Sequence, residues 1–483
     1  MNRKMIGKLL GFLLILESIF LFPPALISAL DGERAALGAI FATMALSAVA
    51  GMLLELVCRN AEKSFYAREG FLIVALGWIV LSVVGALPFW LSGEIPRYVD
   101  ALFEVISGFT TTGASILPNV EEMSRGLLFW RSFTHWLGGM GILVFLLAVV
   151  PLGKGGYSVY LLRAESPGPS VNKLVPKMRQ TAAILYLIYI ALTILCAGFL
   201  LMGGMPLFDS LCTAFGTAGT GGFGIKVDSM AGYSPYLQTV CTVFMALFGV
   251  NFSIYFLLLL GRVGQALVNE ELGLYVGIML SSIAIITADI FHLYGSIRAA
   301  LHDAAFTVSS IMTTTGFSTA DFNQWPQLSR SILVILMVVG ACAGSTGGGI
   351  KCARLLLLGK SLKARIHQML HPRSVNLIRV DGATISDETI QGVNTYMAAY
   401  CAIGVISFLI LSANDLSMET NLTAVLACLN NIGPGLDLVG PTSNYAHFSD
   451  VSKIVLILDM LLGRLEIFPL LVMLSPRAWR RAA

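Results

Sequence analysis

A chain of 483 residues that is 56% apolar and 12% charged, with a mean hydropathy of +0.80, falls outside the soluble range, where about a quarter of residues carry charge. This excludes an ordinary soluble domain and predicts an all-α polytopic membrane protein. The net charge of +3 points to neither nucleic acid nor an acidic partner, because in such a chain the side on which the basic residues fall matters more than their sum. The eight cysteines are scattered, with no C-x-x-C pair. They read as small buried apolar residues rather than a disulfide or metal framework.

In chain order, apolar stretches of spanning length, about 18 residues or more, run over 6–30, 35–57, 70–92, 127–151, 181–203, 236–261, 273–296, 328–358 (interrupted), 394–412 and 452–475. The first follows basic residues without a cleavage site and is read as a span rather than a removed signal. Between them lie four shorter apolar segments, 98–110, 206–217, 300–312 and 418–430, too short to cross and too apolar for solvated loops. They are expected to be re-entrant half-helices. The unit span, half-helix, loop, span thus recurs four times after a two-span leader: 1–67 leader, then pore units 68–160, 161–265, 266–390 and 391–483. With the N-terminus inside, most of the 31 lysines and arginines fall on the cytoplasmic side, as the positive-inside rule requires. Arg131 and Lys453 are among the few assigned outside, and both chain termini are expected to be cytoplasmic.

Each half-helix leads into a glycine loop: Thr110-Thr111-Thr112-Gly113, Thr220-Gly221-Gly222, Thr313-Thr314-Thr315-Gly316 and Asn430-Asn431-Ile432-Gly433. Glycine permits backbone angles that turn successive carbonyls towards one axis, and a ring of carbonyls can replace the hydration shell of a monovalent cation. The competing reading is that each glycine only permits a tight turn; four copies in matching context favour the ring. The ion-binding candidates are therefore Thr111, Thr112, Gly113, Thr220, Gly221, Gly222, Thr314, Thr315, Gly316, Asn431, Ile432 and Gly433. A divalent-cation site would be expected to bring carboxylates into these loops, which hold none. Asp100, Asp209, Asp303 and Thr420 each stand thirteen residues before the loop glycine, at the far end of the half-helix, where they are expected to cap it or complement its dipole.

These quarter-units and TTTG-type loops resemble the superfamily of Trk, Ktr and HKT potassium transporters, closest to the TrkH-like membrane subunit, over essentially the whole chain. The resemblance implies one pseudo-fourfold pore per chain in the bacterial cell membrane, a homodimer, and a cytosolic nucleotide-binding TrkA-like regulatory partner. It matches Gly113, Gly222, Gly316 and Gly433 to the filter glycines; glycine rather than serine at 113 favours potassium as the transported ion. The alternative is a sodium-selective or sodium-coupled member of the same superfamily. No nucleophile–base or metal constellation supports a membrane-embedded enzyme.

Below the loops, the run Gly344-Ser345-Thr346-Gly347-Gly348-Gly349-Ile350-Lys351 cannot easily remain helical, and broken backbone at membrane depth needs a protein-buried or water-lined setting. It is expected to form a flexible plug under the filter, the alternative being close helix packing through its glycines. Arg464 is a charge inside a span, and such residues face an interior path; the family has an arginine at the matching place. The gate candidates are Gly344, Ser345, Thr346, Gly347, Gly348, Gly349, Lys351 and Arg464, with the plug or Glu466 as expected acceptors for Arg464. The glycine pattern Gly219-x-Gly221-x-x-Gly224 and the lysine-ended run at 344–351 mimic nucleotide-binding motifs, but neither follows a strand, so no nucleotide is expected on this chain. The polar segments 152–180 and 359–392 suit either anionic lipid or the regulatory partner.

Overall fold

The computed structural model describes residues 2–61, 67–141, 178–374 and 376–479. The chain is a bundle of twenty helices among those residues, numbered here α1 to α20. The N-terminal segment, expected to be a two-span leader, folds as α1 (Arg3–Phe20), α2 (Phe22–Leu30) and α3 (Arg34–Val57). The Pro23-Pro24 pair sits at the start of α2, where a missing amide donor breaks nothing. Helices α1 and α3 cross closely because Gly11 and Gly51 face each other; a Cβ on Gly11 would lie 2.8 Å from the Gly51 carbonyl oxygen.

The four short segments expected to be half-helices are helical, as α6 (Tyr98–Phe109), α9 (Leu207–Gly219), α14 (Ile297–Met312) and α18 (Met418–Leu429). Helices α4 (Ala67–Gly85) and α5 (Leu87–Leu91) precede the first, α8 (Met178–Met202) the second, α13 (Glu270–Tyr294) the third and α17 (Asp387–Leu411) the fourth. Each half-helix is followed by α7 (Arg125–Gly139), α10 (Pro235–Phe248), α15 (Gln327–Val338) and α19 (Asp450–Arg464), respectively. Large exposed aliphatics such as Leu56, Leu187, Leu280 and Leu409 project from the long helices, as a lipid-facing surface requires.

Six helical segments among the described residues are long and apolar enough to cross a membrane, or seven if the pair at 235–259 counts as one. Three of the expected stretches fall short because the helix after the loop is broken. The stretch 236–261 was expected to be continuous, yet α10 and α11 (Phe252–Leu259) meet at 90°. Asn251 accepts a hydrogen bond from Ser253 N (2.9 Å), starting a new helix. The stretch 452–475 was also expected to be whole. It breaks after α19 and resumes as α20 (Phe468–Leu474), with Glu466 and Ile467 at positive φ (52° and 69°). The interruption expected within 328–358 is present between α15 and α16 (Cys352–Leu370). Of the stretch 127–151, residues 142–151 lie outside the described residues, as does segment 152–177.

Two short helix–strand features complete the chain. Helix α12 (Val263–Leu267) follows α11, and a hairpin of β1 (Arg379–Val380) and β2 (Ala383–Thr384) pairs Arg379 with Thr384. Asp381 and Gly382 both have positive φ (50° and 78°), the mirror-image turn that suits strand twist.

Candidate functional site

The four half-helices end alike. In each, the amide one residue before the loop glycine bonds back to a carbonyl five residues earlier: Thr112 to Ser107, Gly221 to Gly216, Thr315 to Ser310 and Ile432 to Ala427, all at 2.8 Å. The residue before it takes left-handed geometry: Thr111 (φ 55°), Thr220 (54°), Thr314 (60°) and Asn431 (55°). This 6→1 closure with a left-handed residue satisfies carbonyls that a helix end would otherwise orphan. The glycine then also adopts positive φ, between 73° at Gly222 and 94° at Gly433. A β-branched residue at positive φ is strained by about 1–3 kcal/mol. Three threonines therefore hold a conformation they disfavour.

The loops close on one another in a ring. A side chain on Gly113 would strike the Gly221 carbonyl oxygen, one on Gly222 that of Thr315, and one on Gly316 that of Ile432. One on Gly433 would lie 2.7 Å from that of Thr112, which returns to the first loop. All four glycines line a single cavity of about 120 Å³, together with Ser115, Ser318 and Tyr445. No carboxylate lines it. Among the described residues no hydrogen-bond donor reaches the carbonyls of Thr112, Gly221, Thr315 or Ile432. Four helix C-termini, each with partial negative charge, converge there. The loops thus present main-chain oxygens and partial negative charge to the cavity, whose wall also carries Arg131 and Lys226.

The hydroxyls of the loops have two directions of use. Thr110 and Thr112 share a hydrogen bond of 2.8 Å, as do Thr313 and Thr315, which stiffens each turn. The middle threonines look below: Thr314 Oγ1 accepts from Gly348 N (2.6 Å) and Thr111 Oγ1 from Arg464 (3.3 Å). Asn431 spans the seam between last and first units, donating to Thr112 Oγ1 (3.0 Å) and to the Met460 carbonyl (2.9 Å).

Residues 339–351 fold tightly beneath this ring. Gly340 N bonds to Ile350 O (2.9 Å), Cys342 N to Gly249 O (3.0 Å), and Phe252 N to Gly344 O (3.0 Å). Thr346 Oγ1 donates to Phe248 O (3.2 Å). Residues 344–349, expected to form a flexible plug, lie within a hydrogen-bonded knot. Gly347 and Gly348 press so closely on the carbonyls of Thr313 and Asn430 that no side chain would fit. Lys351 is buried and folds back to donate to the Gly347 carbonyl. Arg464 donates to Thr346 O (3.0 Å), Gly139 O (2.7 Å) and Gly138 O. It thereby ties the end of α19 to the end of α7 and to the plug. Glu466 was a possible acceptor for it but pairs instead with Arg354 of α16, whose guanidinium lies 3.9 Å over the Tyr396 ring.

The positions thirteen residues before the glycines behave less uniformly than expected. Asp100 lies in the first turn of α6 and accepts from Lys453 (2.6 Å) rather than from the helix end. Asp209 lies in the first turn of α9 and accepts from Tyr233 (3.1 Å). Asp303 is deep in α14, because that helix starts earlier, and accepts from Thr319 (3.1 Å). In the fourth unit Ser417, not Thr420, is the cap.

Sequence reasoning missed the buried pair of Arg131 and Glu104. Arg131 Nε lies 2.6 Å from Glu104 Oε1, with 4% and 0% side-chain exposure. Arg131 also donates to Gly224 O (2.9 Å) and lies 3.5 Å over the Phe223 ring, while Glu104 accepts from Ser115 (2.9 Å) and Ile116 N (3.0 Å). The pair locks loop 1 to loop 2. Arg131 and Lys453, both assigned to the outer side, are buried partners of half-helix carboxylates. The readable signal was Glu104 itself, a charge inside a short apolar segment. His135 adds a second tie: its Nδ1 bonds the Gly108 carbonyl (2.8 Å), and Phe223 N donates to its Nε2 (3.2 Å).

Taken together, broken apolar helices around a carbonyl-lined ring define a multi-pass membrane protein built to pass cations. Residues 36–289 and 271–480 match the TrkH family, described as a cation transport protein. The chain is 38% identical over 492 residues to the Trk system potassium uptake protein TrkH of Salmonella typhimurium, covering 99% of this chain and 100% of that one. It is 32% identical to TrkG of Escherichia coli, covering 99% of each. The crystal structure of the potassium transporter TrkH from Vibrio parahaemolyticus superposes with a TM-score of 0.89 at 33% identity, covering 99% of this chain and 100% of that chain. The chain belongs to the TrkH family of cation transport proteins.

Proposed function

We propose that this chain is the pore-forming subunit of a potassium-uptake system, selecting the ion with main-chain oxygens of its four loops. The observation that carries the reading is the closed ring of Gly113, Gly222, Gly316 and Gly433 about one acid-free cavity. Thr111, Thr112, Thr220, Gly221, Thr314, Thr315, Asn431 and Ile432 complete the filter. Carbonyls without other donors replace water around a dehydrated monovalent ion, and four helix C-termini favour its positive charge. Residues 344–349, Lys351 and Arg464 form the gate below: the plug fills the path and the guanidinium opposes cation passage. The chain has ten spans in a two-span leader plus four pore units, with both termini on the cytoplasmic side of the bacterial inner membrane. It works as a homodimer with a cytosolic nucleotide-binding TrkA-like partner. The names of its relatives support potassium as cargo. Expression in a bacterium lacking potassium uptake tests this. Growth on low potassium is expected; growth limited to sodium-dependent conditions, or none despite membrane insertion, overturns it.

A further inference from the structure

The knot at 339–351 has two ends, and one carboxylate holds both. Glu271 Oε1 accepts a hydrogen bond from Ala343 N (2.6 Å), where the chain enters the knot, and from Ala353 N (3.0 Å), where it leaves as α16. Glu271 is 5% exposed and sits in the first turn of α13, whose cap is Asn269. Glu271 therefore draws the two limbs of the loop onto a single accepting oxygen, and neither limb can swing away without breaking a hydrogen bond to it.

The neighbouring residues carry this hold outward. Asp381, in the hairpin turn, accepts from Asn269 Nδ2 (2.7 Å) and from Glu270 N (2.8 Å), and its own amide donates to Glu270 Oε1 (3.1 Å). Lys360, on the helix that leaves the knot, pairs with Glu270 and donates to Arg379 O (2.6 Å). Hairpin, α16 and the start of α13 thus form one bonded body, with Glu271 as its contact to the loop. We propose that Glu271 is the clamp that keeps the intramembrane loop closed, and that the 379–384 hairpin sets the clamp's position. A contact that pulls the hairpin from Asn269 and Glu270 shifts the first turn of α13 and releases both ends of the loop together. This assignment rests on the reading of residues 344–349 as the gate. Glu271 is a positioning residue: it touches the loop and neither the ring nor the cavity.

The test uses the full-length protein reconstituted in liposomes, with potassium and sodium flux as readouts. Glu271→Ala is expected to raise basal potassium flux at least tenfold without changing the potassium-to-sodium ratio, since the filter contacts do not involve it. Glu271→Gln, which keeps the accepting oxygen, is expected to restore near-native flux. Asp381→Ala is expected to raise flux by a smaller factor. A second readout is independent of flux. Cys342 and Cys352 each precede a clamped amide and are fully buried. Their alkylation, followed by mass spectrometry of the resolved peptides, is expected to accelerate in Glu271→Ala. Native flux and native alkylation rates in Glu271→Ala overturn the clamp, as does a tenfold rise that Glu271→Gln fails to reverse. Native alkylation in Asp381→Ala overturns the hairpin's part. Accelerated alkylation in Glu271→Ala without any potassium flux overturns the pore reading instead, and the alkylation rates still decide the clamp.

Discussion

Asn431 stands where the other three loops have threonine, and its φ of 55° explains the exchange. Asparagine enters left-handed geometry readily, because its short polar side chain bonds locally. What reads as the most divergent loop is thus the one with the least backbone strain. Glycine at the last position is a stricter demand. A Cβ on Gly316 would collide with the Ile432 carbonyl oxygen and sit 2.9 Å from Pro434 Cδ. Gly316→Ser is therefore expected to displace that carbonyl and reduce potassium over sodium discrimination, read as a shift in reversal potential under mixed gradients; an unchanged ratio removes Gly316 from the filter. The Arg131–Glu104 pair sets the other residue-scale cost. Arg131→Met leaves Glu104 buried without its cation, a loss of about 3–5 kcal/mol for such pairs. Thermal unfolding in detergent is expected to show a lowered midpoint, and a native midpoint argues that Glu104 is held by Ser115 and Ile116 alone.

Among the elements, the half-helices and the broken third-unit span were legible in the sequence, because length and glycine density are local properties. The bend between α10 and α11 was less so. Its signals, Gly249 and the capping Asn251, lie inside an otherwise uninterrupted apolar run. The break after Arg464 has no glycine at its strained positions Glu466 and Ile467; it is held by the Arg354 contact from a distant helix, which no local pattern records. The Asp381-Gly382 hairpin was readable from its dipeptide and was passed over within a basic segment. Outside the spans, one element is sensitive to acid. Ser417 and then Thr420 (2.7 Å) donate to Asp437 and hold its carboxyl below its ordinary range of about 4. A carboxyl lowered in the folded state stabilises it above that range, and the contribution fades as pH falls through the lowered value. The protection of the Leu438 and Thr420 amides, relative to their intrinsic exchange rates, is expected to fall below pH ~4 in the wild type and to stay level there in Asp437→Asn. Equal acid responses in both would show that another group loosens this loop.

Across the whole molecule, a ring made by one chain has a seam where its last unit meets its first. Lys453, 2% exposed, bonds to Asp100 (2.6 Å), with Arg97 and Asp450 paired beside them. Asn431 and Thr112 continue the same seam at the level of the loops. Lys453→Met is expected to weaken this junction by about 1.5–3 kcal/mol, the range for hydrogen bonds to charged groups, lowering the unfolding midpoint while loops 2 and 3 keep their contacts. Crosslinking of cysteines placed at 100 and 453 is the complementary check: efficient closure is expected only if the seam is formed. The eight buried or exposed native thiols are all free among the described residues, so the background is readable after their replacement.

A single polypeptide with four unlike corners also has no rotational equivalence at its mouth. Arg131 and Lys226 flank the cavity beside Phe223, whereas Pro441, Thr442 and Asn444 line another stretch of its wall. A bulky organic blocker entering from that end meets four different walls, so it docks in one preferred orientation rather than four interchangeable ones. Resistance to it can then arise from one amino-acid change, where a homotetrameric channel would repeat the change at every corner.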